Sequence, residues 1–352
     1  MIQVNKPTLL IDKDKVLNNI CKMAEKAKEH SLFFRPHFKT HQSGVIGSWF
    51  KDYGIKAITV SSVTMAGYFV KYGWDDITLA FPVNIHEMDE INRLSSEIQL
   101  NLTVESMETL LIIKKKLQNK TGIFIKIDTG SRRTGLLANN LKETEKIVQK
   151  ISNSGNMFFK GFLSHAGHTY KAKRKEEILK IQNDEREKML FLKAYFQKYN
   201  DQLIISTGDT PSCSIAGDFR CIDEIRPGNF VFYDMMQHSL GSCDPEEIAI
   251  AVACPVVSKH PQRNELIVYG GAVHFSKDHI SDGLGKPVYG YVSEIKNGKW
   301  GFPDHQVAAA LVLDSLDGIP QRIPAGAIPA WFLAVKHVPK KAAGCSQLLG
   351  LG

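Results

Sequence analysis

Ser31-Leu32-Phe33-Phe34-Arg35-Pro36-His37-Phe38-Lys39-Thr40-His41 passes from a short apolar run straight into a polar one. Leu32–Pro36 reads as a buried strand, because a brief apolar run with aromatic residues and flanking turn formers suits a strand better than a helix. It follows Lys15–His30, whose apolar residues recur at helical spacing. Further strand-like runs follow at Ile55–Val60, Ile77–Phe81, Ile98–Val104, Ile123–Ile127, Phe158–Leu163, Leu203–Ile205 and Ile225–Phe230. Between them lie amphipathic stretches such as Met107–Leu117, Leu141–Ser152 and Glu176–Tyr199. Continuous apolar strands joined by helices imply a parallel sheet. Eight such units between about residues 15 and 240 predict an α/β chain with a closed TIM (β/α)8 barrel. A doubly wound open sheet is the alternative.

The texture changes after about residue 240. Ile248–Val257 and Glu265–Tyr269 read as strands without intervening helices, punctuated by Gly270-Gly271, Gly283, Gly285 and Gly290. The expected division is a barrel over residues 13–240 and a second, smaller β domain from residues 1–12 and 241–352. Pro7–Asp12 would add a strand to that domain.

Composition narrows the class of partner. With 43% hydrophobic and 23% charged residues, the chain has the make-up of a packed globular protein. The net charge of +7 favours anionic ligands. The densest basic run, Lys171 to Lys175, leads into Glu176-Glu177 and has no interleaved stacking aromatics. It reads as a solvated helix start, so no nucleic-acid partner is expected. Six scattered cysteines without a C-x-x-C pair point to reduced thiols. No signal-peptide core and no apolar run near ~18 residues is present, so no membrane span and a cytoplasmic location are expected.

In a TIM barrel the chemistry lies on the loops after the strands. The first such loop carries His37, Lys39, Thr40 and His41. The fifth carries Asp128, Gly130 and Arg133, and the sixth His165, His168 and Tyr170. The seventh carries Ser206 through Thr210, and the eighth Gly228, Asn229 and Tyr233. Lys39 is a solvated surface lysine or a nucleophile activated by the cations Arg35, His37 and His41. Thr207, Gly208, Thr210 and Gly228 suit a phosphate site, or else a helix cap at Asp209 or Thr210 and a tight turn at Pro227-Gly228. His165 and His168 suit stacking or hydrogen bonding better than metal ligation, since two histidines three apart are a weak metal signal.

Arg35-Pro36-His37-Phe38-Lys39-Thr40-His41 resembles the cofactor-lysine motif of the D-threonine aldolase and D-serine dehydratase family. Members are fold-type III enzymes of pyridoxal 5′-phosphate (PLP), with an alanine racemase-like barrel. Asp128-Thr129-Gly130-Ser131-Arg132-Arg133, Ser164 through Tyr170, Gly208-Asp209-Thr210-Pro211-Ser212 and Arg226-Pro227-Gly228 through Tyr233-Asp234 are similar to further family strings. Asp209 stands where the family carries Ser. The resemblance implies a PLP Schiff base on Lys39, which also moves the proton at the substrate Cα. It implies His165 against the cofactor ring, Arg133 at the ring edge, Tyr170 near the ring nitrogen and His37 close by. Thr207, Gly208, Thr210, Gly228, Asn229 and Tyr233 would hold the phosphate. It further implies a homodimer acting on small D-amino acids as a lyase, by retro-aldol cleavage or β-elimination. A racemase or epimerase on the same scaffold, a PLP-binding protein with impaired turnover, and a PLP-free class I aldolase are the alternatives.

From about residue 301 the sequence departs from the family. Its metal pair, His-x-Cys or His-x-Asp, and its Glu-His-Gly string have no counterpart here. His337 and Cys345 are the nearest zinc or manganese ligands by type, at a spacing unlike a preformed pair.

Overall fold

The computed structural model of the chain describes residues 4–263, 265–271, 274, 279–281, 287–288, 290–293, 295–296, 299–300, 321–324, 332–335 and 350–351. The chain divides into two compact units, residues 20–228 and residues 1–19 with 229–352.

The first unit is built on β2 (Phe33–Phe34), after β1 (Thr8–Asp12) and α1 (Lys13–Glu29) in chain order. There follow α2 (Gly44–Trp49), β3 (Ile58–Val60), α3 (Val63–Val70), β4 (Asp76–Pro82), α4 (Met88–Glu97), β5 (Gln99–Val104) and α5 (Met107–Lys116). Next come β6 (Thr121–Asp128), β7 (Leu136–Leu137), α6 (Leu141–Ser152), β8 (Met157–Leu163), α7 (Lys175–Phe196), β9 (Ile204–Thr207), α8 (Thr210–Ile215) and β10 (Glu224–Ile225). The sheet runs β2-β10-β9-β8-β6-β5-β4-β3, with β7 paired onto β6, and its strand pairs are parallel. Past β2 the chain closes the ring. His37 bridges Thr59 in parallel, Phe38 N–H donates to the Thr59 carbonyl at 2.9 Å, and Thr59 N–H donates to the Pro36 carbonyl at 2.9 Å. The expected barrel is therefore what forms.

Burial follows from this closure. Seven of the eight residues of β6 are buried, as a strand covered on both faces requires. α6 buries Thr144, Ile147, Val148 and Ile151, one face at helical spacing. α7 buries Ile178, Met189, Leu192 and Phe196, and places Gln182 and Glu185 in the same stripe.

Three predicted strands are markedly shorter than expected: of Leu32–Pro36 only Phe33–Phe34 is strand, of Ile55–Val60 only Ile58–Val60, and Ile225–Phe230 keeps only its first residue. In the last of these, β10 ends at Ile225 and Asn229–Val231 is a 3-10 turn. Pro227 has no N–H to extend the ladder.

In the second unit, β1 pairs antiparallel with β11 (Ile250–Cys254), from Thr8 opposite Ala253 to Ile11 opposite Ile250. β11 also pairs with Phe332–Val335, which pairs in turn with Tyr291–Ser293. The run Ile248–Val257 breaks at Pro255. Beyond it, β12 (Val256–His260) joins β13 (Glu265–Val268) in a different sheet. No described helix is long and apolar enough to cross a membrane.

Candidate active site

The loop after β2 is pinned on both sides of Lys39. His37 N–H donates to the Pro227 carbonyl at 2.9 Å. Phe38 is fully buried among Phe50, Phe69 and Trp74. Lys39 N–H donates to His37 Nδ1 at 3.3 Å, and His37 Nε2 lies 3.4 Å from Ser61 Oγ. Lys39 itself is exposed at the strand end.

The cations expected to flank Lys39 are not the ones the structure supplies. Arg35 turns away into a buried triad, 2.7 Å from Glu224 and 2.6 Å from Asp76. His41 packs against Phe38, Phe50 and Phe69 and accepts from Ser43 N–H at 3.1 Å. Burial pushes its pKa down to about 3, so it is a neutral core histidine. His37 and His165 both lie in the field of Lys39, together with Lys126 and Arg226. Burial first, and then these cations, hold both imidazoles well below their ordinary range.

The turns after β9 and β10 close on this loop. A Cβ on Gly228 would lie 2.8 Å from the His37 carbonyl oxygen and 3.2 Å from Thr40 Oγ1, so only glycine permits the approach. Gly208 has φ +146°, and a Cβ there would meet Arg226 N at 2.6 Å. Thr207 and Thr210 are buried beside it. Asp209 caps α8, accepting from Ser212 N–H at 2.8 Å and from the Thr169 hydroxyl at 2.9 Å. Its carboxyl is thus engaged with the neighbouring loop, which explains how Asp stands in for Ser here.

His165 and His168 diverge. His165 Nδ1 lies 2.6 Å from the Gly208 carbonyl, an arrangement that assigns the ring proton to Nδ1. His168 packs at Gly130, where a Cβ would come within 3.2 Å of its Nε2. Tyr170 hydroxyl accepts from Thr210 N–H at 3.4 Å, tying the same two loops. Arg133 lies exposed on the loop after β6. Asp128 holds that loop by accepting from Gly130 and Arg132 N–H at 2.9 and 3.0 Å, and Glu105 by accepting from Gly135 N–H at 2.5 Å.

Asn229 and Tyr233 belong to the other unit. There the Asn229 carbonyl accepts from Tyr233 N–H at 2.8 Å, and the Asn229 amide donates to Asp234 at 2.9 Å. His337 and Cys345 lie outside the described residues. Among the described residues no group of three or more His, Cys, Asp or Glu is placed to hold a metal ion.

Three buried ionisable groups escaped the reading of strand-end loops. Lys126 is 3% exposed, and among the described residues its Nζ has no hydrogen-bond partner. Burial, with Arg226 and Arg133 nearby, pushes its pKa down to about 7. Glu185 is raised to about 7 by burial and by Asp209. Arg226 donates to Ser206 Oγ at 3.1 Å, to the Thr207 carbonyl at 3.2 Å and to the Ser164 carbonyl. The signal for Lys126 was present in the sequence: a lysine inside Ile123-Phe124-Ile125-Lys126-Ile127 must face the barrel interior or break the strand.

Comparison with known proteins accords with this geometry. The family described as alanine racemase, N-terminal domain matches residues 11–235. A D-serine dehydratase of Dictyostelium discoideum is 32% identical over 311 residues, covering 79% of this chain and 76% of its own. The solved D-threo-3-hydroxyaspartate dehydratase of Delftia sp. HT23 superposes with a TM-score of 0.82 at 23% identity, over 95% of this chain and 90% of that one. D-threonine aldolase from Filomicrobium marinum gives a TM-score of 0.81 at 18% identity, over 95% and 88%. The matched span takes in the barrel strands, the Lys39 loop and the turns at Gly208 and Gly228, and on it the chain belongs to the alanine racemase N-terminal domain family, within the fold-type III PLP proteins.

Proposed function

We propose that this chain is a PLP-dependent lyase acting on small β-hydroxy D-amino acids, of the D-serine dehydratase or D-threonine aldolase type, with Lys39 as its cofactor lysine. The observation that carries the reading is the contact of Gly228 with the His37 carbonyl and Thr40, which sets an exposed lysine against the two glycine turns. The donor set fits PLP: an amine for the aldehyde, Thr207, Gly208, Thr210 and Gly228 for the phosphate, and His165, Tyr170 and Arg133 for the ring. Family resemblance adds Asn229 and Tyr233 to the phosphate set. When bound, PLP supplies the electron sink for charge that develops at the substrate Cα.

The protein's own part is positional and acid–base. Lys39 Nζ anchors the cofactor and moves the proton at Cα. His165 offers a neutral ring, because its Nδ1–H is directed to the Gly208 carbonyl and burial disfavours a second proton. His37 orients the Lys39 backbone without adding charge. Departure of the β-hydroxyl needs an acid or a cation. His337 and Cys345 are the residues to test for zinc or manganese, and no step is assigned to a metal. A cytoplasmic homodimer completes the reading.

Purified protein loaded with PLP should show the visible absorbance of a lysine-bound cofactor, and Lys39→Ala should lose both it and turnover. A panel of D-serine, D-threonine and D-threo-3-hydroxyaspartate, with and without divalent metal, should yield a keto acid or an aldehyde. Cofactor absorbance with no product from any of them overturns the lyase assignment. Inversion of configuration alone would make the chain a racemase.

A further inference from the structure

The hydrogen bonds behind Lys39 include one side chain to which the cofactor site gives no role. Ser61 directly follows β3, and its Oγ lies 3.4 Å from His37 Nε2. We propose that Ser61 is a positioning residue for Lys39: by accepting the His37 Nε2 proton it holds the imidazole that fixes the lysine's backbone, a role that rests on Lys39 being the cofactor lysine.

The neighbours of His37 place its proton. Lys39 N–H is a backbone donor 3.3 Å from His37 Nδ1, so Nδ1 must present its lone pair. A neutral ring then carries its proton on Nε2, where Ser61 Oγ is the acceptor. Burial and the nearby cations keep the ring neutral. His165, which faces the Gly208 carbonyl through Nδ1, takes the opposite tautomer.

The contact stands at the seam of the barrel. Between β2 and β3 the ring closes by a single bridge, His37 opposite Thr59, rather than by a ladder. Thr59 and Ser61, two residues apart, share one face of their strand. Thr59 Oγ1 donates to the Arg35 carbonyl at 3.0 Å and Ser61 engages the His37 ring, so the two hydroxyls tie alternate residues across the seam. Ser61 does not cap the following helix. Ser62 does, its Oγ accepting from Met65 N–H at 3.1 Å. His41 offers a comparison within the same loop. It makes the same local turn, accepting from Ser43 N–H through Nδ1, but its Nε2 is buried with no hydrogen-bond partner among the described residues. The turn thus forms without a second contact, and of the two histidines the one beside Lys39 has it.

Nitrogen NMR of the cofactor-free protein reads the tautomers directly. At neutral pH His37 should carry its proton on Nε2 and His165 on Nδ1; a His37 proton on Nδ1, or a charged ring, overturns the proposal. Ser61→Ala should slow the capture of PLP by Lys39, followed as visible absorbance, and lower kcat on D-serine. Each effect should be roughly 3- to 10-fold, the range of one neutral hydrogen bond, with KM little changed. Ser61→Thr keeps the oxygen and should restore both. His37→Asn can still accept from Lys39 N–H two residues on, but it is too short to reach Ser61. Adding Ser61→Ala to it should bring no further loss, because the contact is already gone. Losses that multiply in the double variant would show that Ser61 acts apart from His37 and would sink the proposal, as would an effect confined to KM or no rescue by threonine. If D-serine is not turned over, the lyase reading fails, while the tautomers and the rate of PLP capture still decide the role of Ser61.

Discussion

Asp209 shows how one side chain can serve fold and site together. Its carboxylate caps α8 and accepts the Thr169 hydroxyl, so it locks the His165 loop to the Gly208 turn. Asp209→Ala should cost about 1–2 kcal/mol in urea unfolding, the range of a lost cap, while Asp209→Ser, which keeps a capping oxygen, should cost less. Glu185 carries a pH signature. Its carboxyl is raised to about 7 in the folded chain, above its ordinary value near 4.5. Between those values the folded state binds more protons than the unfolded one, so the cost of burying the carboxyl grows as pH rises through this window. Glu185→Gln should therefore change little at pH 5 and become progressively stabilising toward pH 8. Melting curves at both pH values check it; a difference between the proteins that shrinks as pH rises would refute the assignment.

At the level of strands, two joints hold the barrel in register. Gly161 sits where the β6–β8 register shifts, with φ +142°, and a Cβ there would overlap the backbone of Ile204 on β9. Gly161→Ala should destabilise the chain by about 2–4 kcal/mol, since neither the conformation nor the space accepts a methyl group. Arg35 joins the residue after β2 to the starts of β10 and β4 through Glu224 and Asp76. Both Arg35 and Glu224 are almost fully buried. Arg35→Met should cost about 3–5 kcal/mol, because Glu224 loses its ion-pair partner and keeps only the Ser206 hydroxyl and the field of Arg226. Chemical unfolding of the two variants measures both costs. A loss below 1 kcal/mol for Arg35→Met would show that water reaches the carboxylate.

For the whole molecule, the consequence is a coupling of cofactor to stability. A ligand that binds only the folded chain, at a hundred times its dissociation constant, adds about 2.7 kcal/mol. For a unit of this size PLP should raise Tm by roughly 5–10 °C, and Lys39→Ala should reduce that gain. Scanning calorimetry with and without PLP provides the check. The barrel was legible before any coordinates, because runs of apolar residues and helical periodicity are local properties that report how each segment is covered. Lys39 was legible too, as a single amine at the end of a strand beside glycine turns. The end of β10 and the break at Pro255 are not legible in the sequence, since apolar residues continue past the point where proline stops the hydrogen-bond ladder. The electrostatics around Lys39 were not legible. Arg35 and His41 are its neighbours in sequence, yet they turn to Glu224 and Asp76 and into an aromatic cluster. The charges that act on His37 and His165 come first from Lys39 itself and then from Lys126 on β6 and Arg226 just past β10. Residue order can place a side chain at a strand end, but ring closure brings separate strand ends together, and burial there sets which of their groups stay charged.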